Sequence, residues 1–177
     1  MKAAKKNGSG KSAPKAPADQ RGRREALVRA HMADENTLDF DAVLKTFPHP
    51  HYEIIPTGAV YDGRKDVSAY YADSRAAFPD QRNEIISLRH ADDAVIVEFW
   101  LRGTQLGAYR GLPATGQSFE VRMCAYFIFQ GERLVCERVY FDALSLVRQL
   151  LRGVSLRKPG SLLVLVGMLR GLRKGVK

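Results

Sequence analysis

Phe119-Glu-Val-Arg-Met-Cys-Ala-Tyr-Phe-Ile-Phe129, then Gln130-Gly131-Glu132-Arg133, then Leu134-Val-Cys-Glu-Arg-Val-Tyr-Phe141 reads as one long β-hairpin. Both arms are rich in aromatic and β-branched residues, and Gly131-Glu132 suits a two-residue turn. Pairing Gln130 with Arg133 sets Tyr126 opposite Glu137 and Cys124 opposite Val139. One face then carries Arg122, Cys124, Tyr126, Ile128, Val135, Glu137, Val139 and Phe141. The other carries Val121, Met123, Ala125, Phe127, Phe129, Leu134, Cys136, Arg138, Tyr140 and Asp142. Both faces are too apolar for water. One must lie under helices and the other under a further layer, most simply a second copy of the chain. This register sends Cys124 and Cys136 to opposite faces, so they read as reduced thiols in a reducing cytoplasm rather than a disulfide.

Upstream of the hairpin, Ala94 to Leu101 is strongly β-prone and Asn83 to Leu88 is a shorter strand. Gly103 to Tyr109 continues as an extended segment with glycine bends, and Gly111 to Gly116 is a loop. Earlier still, Arg24 to His31 reads as a helix. Leu38 to Phe47 reads as a second, capped by Asp39 and stopped by Pro48. Tyr52 to Ile55 is a short strand and Asp62-Gly63 a turn. Asp66 to Phe78 is a third helix. Asp142 opens a last helix that runs to about Leu151. Helices first and an antiparallel meander afterwards make an α+β architecture: a curved antiparallel sheet closed by N-terminal helices.

The 177 residues carry a net charge of +9, unevenly spread. Residues 1–24 hold +7 and residues 148–177 hold +8, which leaves −6 on the part between. The expected division is a basic flexible tail at 1–24, a folded domain at 25–151, and a basic, apolar appendage at 152–177. An acidic body is a poor nucleic-acid groove, so no specific nucleic acid is expected as partner. Within the appendage, 161–177 has an apolar side flanked by cations, which suits weak contact with a membrane surface. No apolar run approaches the ~20 residues of a membrane span, and the basic N-terminus lacks the apolar core of a signal peptide. The expected location is therefore cytoplasmic. Gly8-Ser9-Gly10-Lys11-Ser12 is not a phosphate loop, because Lys5 stands where its first glycine belongs.

Several strings in order resemble the SnoaL-like polyketide cyclases, also called ester cyclases, of the nuclear transport factor 2-like superfamily. They are Phe78-Pro79-Asp80, Val97-Glu98-Phe99, Gly103-Thr104-Gln105-Leu106-Gly107, Gly111-Leu112-Pro113-Ala114-Thr115-Gly116, and Glu137-Arg138-Val139-Tyr140-Phe141-Asp142 followed by Leu144 to Leu150. The resemblance covers about residues 25–151. It implies a cone of curved sheet (a cystatin-like α+β barrel), a homodimer, and a deep apolar pocket. It also implies cofactor-free and metal-free acid–base chemistry on a small apolar carbonyl or ester compound, as a cyclase or isomerase. Such chemistry needs a carboxyl group in an apolar cavity, where burial lifts its pKa toward neutrality.

Asp142 is the acid nearest the position the resemblance points to, although it also suits an N-cap. Tyr140 is a possible hydrogen-bond donor to a developing oxyanion. Glu98 sits in an apolar strand and is either functional or paired across the sheet with Arg122 or Arg138. Asp80 either ends its helix or lines the pocket mouth. His49, Tyr52, Tyr61, Phe78, Trp100, Met123 and Phe127 are the expected pocket lining. His49-Pro50-His51 has no further ligand at metal spacing, so no metal is expected. Two rivals remain open: a non-catalytic small-molecule binding or assembly module, and an epoxide hydrolase-like enzyme built from Asp80, Arg138 and Asp142.

Overall fold

A computed structural model of the chain describes residues 18–153. The flexible tail expected before residue 18 and the appendage expected after 153 lie outside the described residues. Four helices and six strands follow in the order α1 (Ala18–Thr37), α2 (Phe40–Lys45), β1 (His51–Ile54), β2 (Ala59–Asp62), α3 (Gly63–Ala77), β3 (Arg82–His90), β4 (Ala94–Thr104), β5 (Ser118–Gln130), β6 (Arg133–Phe141) and α4 (Ala143–Leu150). The strands form one sheet in the order β2-β1-β6-β5-β4-β3. All pairs are antiparallel except β1 with β6, which is parallel. The mixed α+β fold with a curved sheet and N-terminal helices is the one expected, apart from that parallel pair.

Helix α1 begins at Ala18, so residues 18–24 are helical rather than part of a flexible tail. Arg24 explains why. It is 5% exposed, its guanidinium donates to the Gly131 and Asp92 carbonyls, and it packs over Phe129. Two β-turns on the sheet thus hold the first half of α1. Asp39 caps α2 by accepting from the Ala42 N–H at 3.0 Å, as expected. Strand β2 was hidden in the sequence because it is four residues long between Gly58 and Gly63.

The hairpin differs in one detail with wide effect. Gln130 pairs with Arg133 and Phe129 with Leu134, but Ile128 then pairs with Cys136. Val135 is the extra residue of a β-bulge. Beyond it the register is shifted by one, so Phe127 opposes Glu137, Tyr126 opposes Arg138, and Cys124 opposes Tyr140. Glu137, Val139 and Phe141 consequently share the concave face with Phe127, Ala125 and Met123. Cys136, Arg138 and Tyr140 turn to the convex face. Both cysteines lie on that convex face, correcting the expected opposite faces. They are free thiols, separated by four residues of β5, about 13 Å, beyond disulfide reach.

Under the concave face, α1 contributes Val28 and Met32, α2 contributes Val43 and Leu44, and α3 contributes Val67 and Tyr71. These meet Val95, Val97, Ala125, Phe127 and Leu134 of the sheet in one core. Among the described residues no helix is long and apolar enough to cross a membrane.

Candidate active site

The concave face does not fill completely. A cavity of about 440 Å³ remains toward the α4 end of the sheet. Its sheet wall is apolar: Leu101 of β4, Phe119 and Met123 of β5, Val139 and Phe141 of β6. The opposite wall mixes apolar Ala76, Phe78 and Ala108 with polar groups: Tyr70, Asp73 and Ser74 of α3, Tyr61 of β2, and Tyr109 and Arg110 of the β4–β5 loop. A ligand there would meet a flat apolar surface on one side and hydroxyl groups and charges on the other.

One pleat deeper along β6 lies a sealed polar cluster. His31 is fully buried, and Tyr52, Tyr71 and Glu137 are 1%, 4% and 6% exposed. His31 Nδ1 lies 2.9 Å from Thr46 Oγ1, and that hydroxyl donates to the Val43 carbonyl at 2.6 Å. Thr46 therefore accepts, and Nδ1 carries the hydrogen. Nε2 then faces Glu137 Oε2 at 3.2 Å, Glu35 Oε1 at 3.7 Å and the Tyr52 hydroxyl at 3.2 Å. Tyr52 and Tyr71 share a hydrogen bond of 2.7 Å, and Tyr71 donates to Glu35 Oε1 at 2.5 Å. Asn83 Nδ2 donates to the other Glu35 oxygen at 2.5 Å.

The three ionisable groups are driven apart. Burial opposes charge on His31, but the Glu137 and Glu35 carboxylates outweigh it and lift its pKa to about 9. Burial also opposes the Glu35 anion, yet the His31 bond, the Tyr71 bond and the nearby Arg75 charge hold Glu35 below the usual carboxylate range. Glu137 moves the other way. Burial and the Glu35 charge raise it more than His31 and Tyr52 lower it. Its Oε2 makes no well-directed hydrogen bond among the described residues. The cluster is thus one imidazolium facing two carboxyl groups, Glu137 at 3.2 Å and Glu35 at 3.7 Å, the first raised and the second lowered.

Tyr70 joins the two regions. Its ring lines the cavity and also packs on Tyr52 and Tyr71, with centroids 6.1 and 5.4 Å away. Burial and the two carboxylates push its phenol up, so it stays a neutral donor. Val139, two residues beyond Glu137 on the same face, lies about 7 Å further along the strand and forms cavity wall.

The structure scatters the residues expected from sequence. Tyr61, Phe78 and Met123 line the cavity. Tyr52 belongs to the sealed cluster, and Phe127 packs edge-on against His31 at 5.3 Å. His49 is 66% exposed and bonds Asp62 Oδ1 at 2.9 Å. Trp100, Glu98 and Tyr140 point from the convex face, because the inward residues of β4 are Val97, Phe99 and Leu101 and the bulge turns Tyr140 outward. Glu98 is paired with Arg122 at 2.6 Å, which holds it below the usual range. Tyr140 is 40% exposed and packs on Tyr126. Asp142 caps α4 by accepting from the Ser145 N–H at 3.0 Å. Asp80 accepts from the Thr104 N–H and hydroxyl at 2.6 and 2.7 Å. Arg138 is bound to Glu53. Asp80, Arg138 and Asp142 therefore have three separate partners rather than a common water site.

Two triads bring ligand atoms within 4.8 Å of one another: His51, Glu53 and Cys136, and His31, Glu35 and Glu137. In the first, Arg138 already occupies Glu53, and burial pushes the Cys136 thiol up to about 12, far from a metal-binding thiolate. In the second, protonated His31 supplies the positive charge between the carboxylates.

The sequence model of the family described as SnoaL-like polyketide cyclase matches residues 25–150. Among curated proteins no relative matches the chain. Solved structures share the fold. A candidate polyketide cyclase from Xanthomonas campestris pv. campestris is 20% identical, with TM-score 0.68 over 74% of this chain and 98% of that one. A candidate hydroxylase from Streptomyces galilaeus is 21% identical, with TM-score 0.63 over 73% and 96%. A protein with a ketosteroid isomerase-like fold from Catenulispora acidiphila, bound to trimethylamine, is 23% identical, with TM-score 0.60 over 70% and 90%.

Proposed function

Because the chain belongs to the SnoaL-like polyketide cyclase family, we propose that it is a cyclase-type enzyme working by acid–base chemistry on a small apolar carbonyl or ester compound. The compound occupies the 440 Å³ cavity with its carbon skeleton on the sheet wall. Tyr70 donates a hydrogen bond to its carbonyl oxygen. Glu137 is the proton-handling group, reached when the Tyr70 ring swings off Tyr52. As a carboxylate it removes a proton from the carbon next to the carbonyl, giving an enolate whose oxygen Tyr70 stabilises. The enolate carbon attacks a second carbonyl of the same molecule, and the proton returns to the new alkoxide. One observation carries this reading: a buried carboxyl group with a raised pKa and no arginine stands on the face that forms the cavity wall.

Proton exchange tests it without knowledge of the natural substrate. A bound methyl ketone such as 2-acetonaphthone is incubated with the protein in D2O, and loss of its α-proton signal is followed by NMR. The expected result is catalysed exchange that falls at least 100-fold in Glu137→Gln, with ketone binding retained. Binding without catalysed exchange sinks the enzyme reading and favours a binding module. Exchange unaffected by Glu137→Gln moves the chemistry to another residue.

The convex face supports a homodimer. Tyr126 and Tyr140 are 36% and 40% exposed and pack together beside half-buried Trp100, Cys124 and Ile128. A second copy of the chain covers this patch. Light scattering checks it: Tyr126→Lys should halve the mass of a wild-type dimer, and a monomeric wild type removes the proposal.

A further inference from the structure

The polar wall of the cavity carries two charges, Arg110 and Asp73. We infer that Arg110 is an anchor for a carboxylate on the cavity's ligand, so that the compound bound there is an acid with an apolar body. This deepens the reading of the cavity as substrate site and rests on it.

The loop that presents Arg110 is built to hold it still. Arg110 has φ +47°, a left-handed conformation uncommon for any residue with a side chain, and Gly111 follows at φ +81°. Tyr109 and Leu112 exchange two backbone hydrogen bonds of 2.8 Å across this turn. The Gln105 side chain, wholly buried, donates to the carbonyls of Gly107, Leu112 and Pro113. The N–H groups of Leu106 and Gly107 donate to the Ala77 carbonyl at 2.9 and 3.1 Å. A Cβ at position 107 would stand 2.1 Å from the Ala76 carbonyl oxygen, so the loop is pressed against the end of α3.

At the end of this mount the guanidinium lies over the Tyr109 ring, 5.8 Å from its centroid, and near the Tyr61 hydroxyl. It is half-buried, and no carboxylate pairs with it within 4.0 Å among the described residues. A half-buried cation without a counterion has lost part of its hydration, and an aromatic ring makes up for it only in part. A carboxylate with its two oxygens in the guanidinium plane restores that loss, because the geometry of the fork matches it. Asp73, exposed on α3, is the one carboxylate among the described residues that line the cavity, and it opposes a second negative group on its own side. The ligand's charge is thereby directed to the Arg110 end, while its apolar body meets Met123 and Phe141.

Two probes of nearly equal shape test this on the full chain: 2-naphthoate and its methyl ester, titrated by calorimetry. The wild type should bind the acid at least tenfold more tightly than the ester. Arg110→Gln should erase that preference while ester affinity stays within twofold. Asp73→Asn, an independent variant on another element, should strengthen acid binding two- to threefold and leave the ester unchanged. Equal binding of acid and ester by the wild type overturns the anchor and leaves the cavity reading standing, as does an Arg110→Gln variant that weakens both probes alike. Failure of both probes to bind overturns the cavity reading and the anchor with it.

Discussion

Glu137 and Glu98 are carboxylates on neighbouring regions of one sheet, and the protein treats them in opposite ways. Glu98 projects from the convex face, meets Arg122, and is held below the usual carboxylate range. Glu53, on the same face, meets Arg138 and moves down as well. Glu137 projects from the concave face, meets no arginine, and moves up. Both strands are equally apolar, so β-propensity does not separate these residues. The difference lies in whether water and a permanent cation can reach the group. An arginine stays charged at every accessible pH and locks its partner as an anion. The concave face offers His31, whose charge itself depends on pH. Glu137 is thus held beside a partner that can itself give up its proton, and Glu98 beside one that cannot.

Removal of His31 should break the contrast with the largest effect. His31→Ala removes the imidazolium that faces both Glu35 and Glu137, and breaking a buried ionic contact by deleting one partner costs about 3–5 kcal/mol. Urea unfolding measures it. A loss below ~1 kcal/mol would mean that water enters the cluster and that the concave face is less sealed than described.

Titration should separate the two faces next. His31 has a folded-state pKa of about 9 against an unfolded value of 6.5. A raised base contributes its full stability below the unfolded pKa and loses it as pH climbs through the folded one. His31 therefore accounts for about 3 kcal/mol lost between pH 6.5 and 9, at roughly 1.4 kcal/mol per pH unit. Glu137, also raised, adds loss in the same direction as it gives up its proton. The convex pairs act in reverse. Glu98 and Glu53 are lowered, so what they contribute is present above about pH 4.5 and vanishes as pH falls through their folded values, and for exposed Glu98 solvent screening leaves that contribution near zero. Glu35, though concave, joins this acid-side loss because His31 lowers it. Urea midpoints from pH 4 to 9.5 should fall at both ends, and His31→Gln should flatten the alkaline side most, with a smaller flattening of the acid side because Glu35 loses the partner that lowers it. An alkaline fall undiminished in His31→Gln assigns it to other groups.

How far this was readable in the sequence follows from the same two faces. The hairpin, its turn pairing and the helices beneath it were legible, because alternation and Gly131 mark them. The concave acid was not. One extra residue, Val135, decides that Glu137 and not Tyr140 faces inward, and no glycine or proline announces the bulge. Strict alternation continued from Arg133 turns every residue after Val135 to the wrong face. Half of the cluster was hidden for another reason. His31 and Glu35 stand four apart on α1, an ordinary surface spacing. Only contact with Tyr52, Tyr71 and Glu137, far away in the chain, shows them to be one unit. The cavity residues that were legible, Tyr61, Phe78 and Met123, are large and apolar or aromatic, the kind that composition alone directs inward.

The smallest effects test whether the displaced acids are structural alone. Asp142 accepts one N–H bond at the start of α4, and loss of such a cap costs about 1 kcal/mol. Asp142→Ala should therefore lower the urea midpoint modestly, while Asp142→Asn, which keeps a side-chain oxygen, should restore most of it. Neither should change the α-proton exchange that depends on Glu137. Arg122→Gln on the convex face should leave both the midpoint and the exchange rate within error, since exposed ion pairs add little. The pair of experiments has a sharp adverse outcome. If Asp142→Asn folds as the wild type does and exchange nevertheless collapses, Asp142 has a role beyond its cap. The division between a proton-handling concave face and a charge-locked remainder would then have to be redrawn around the start of α4.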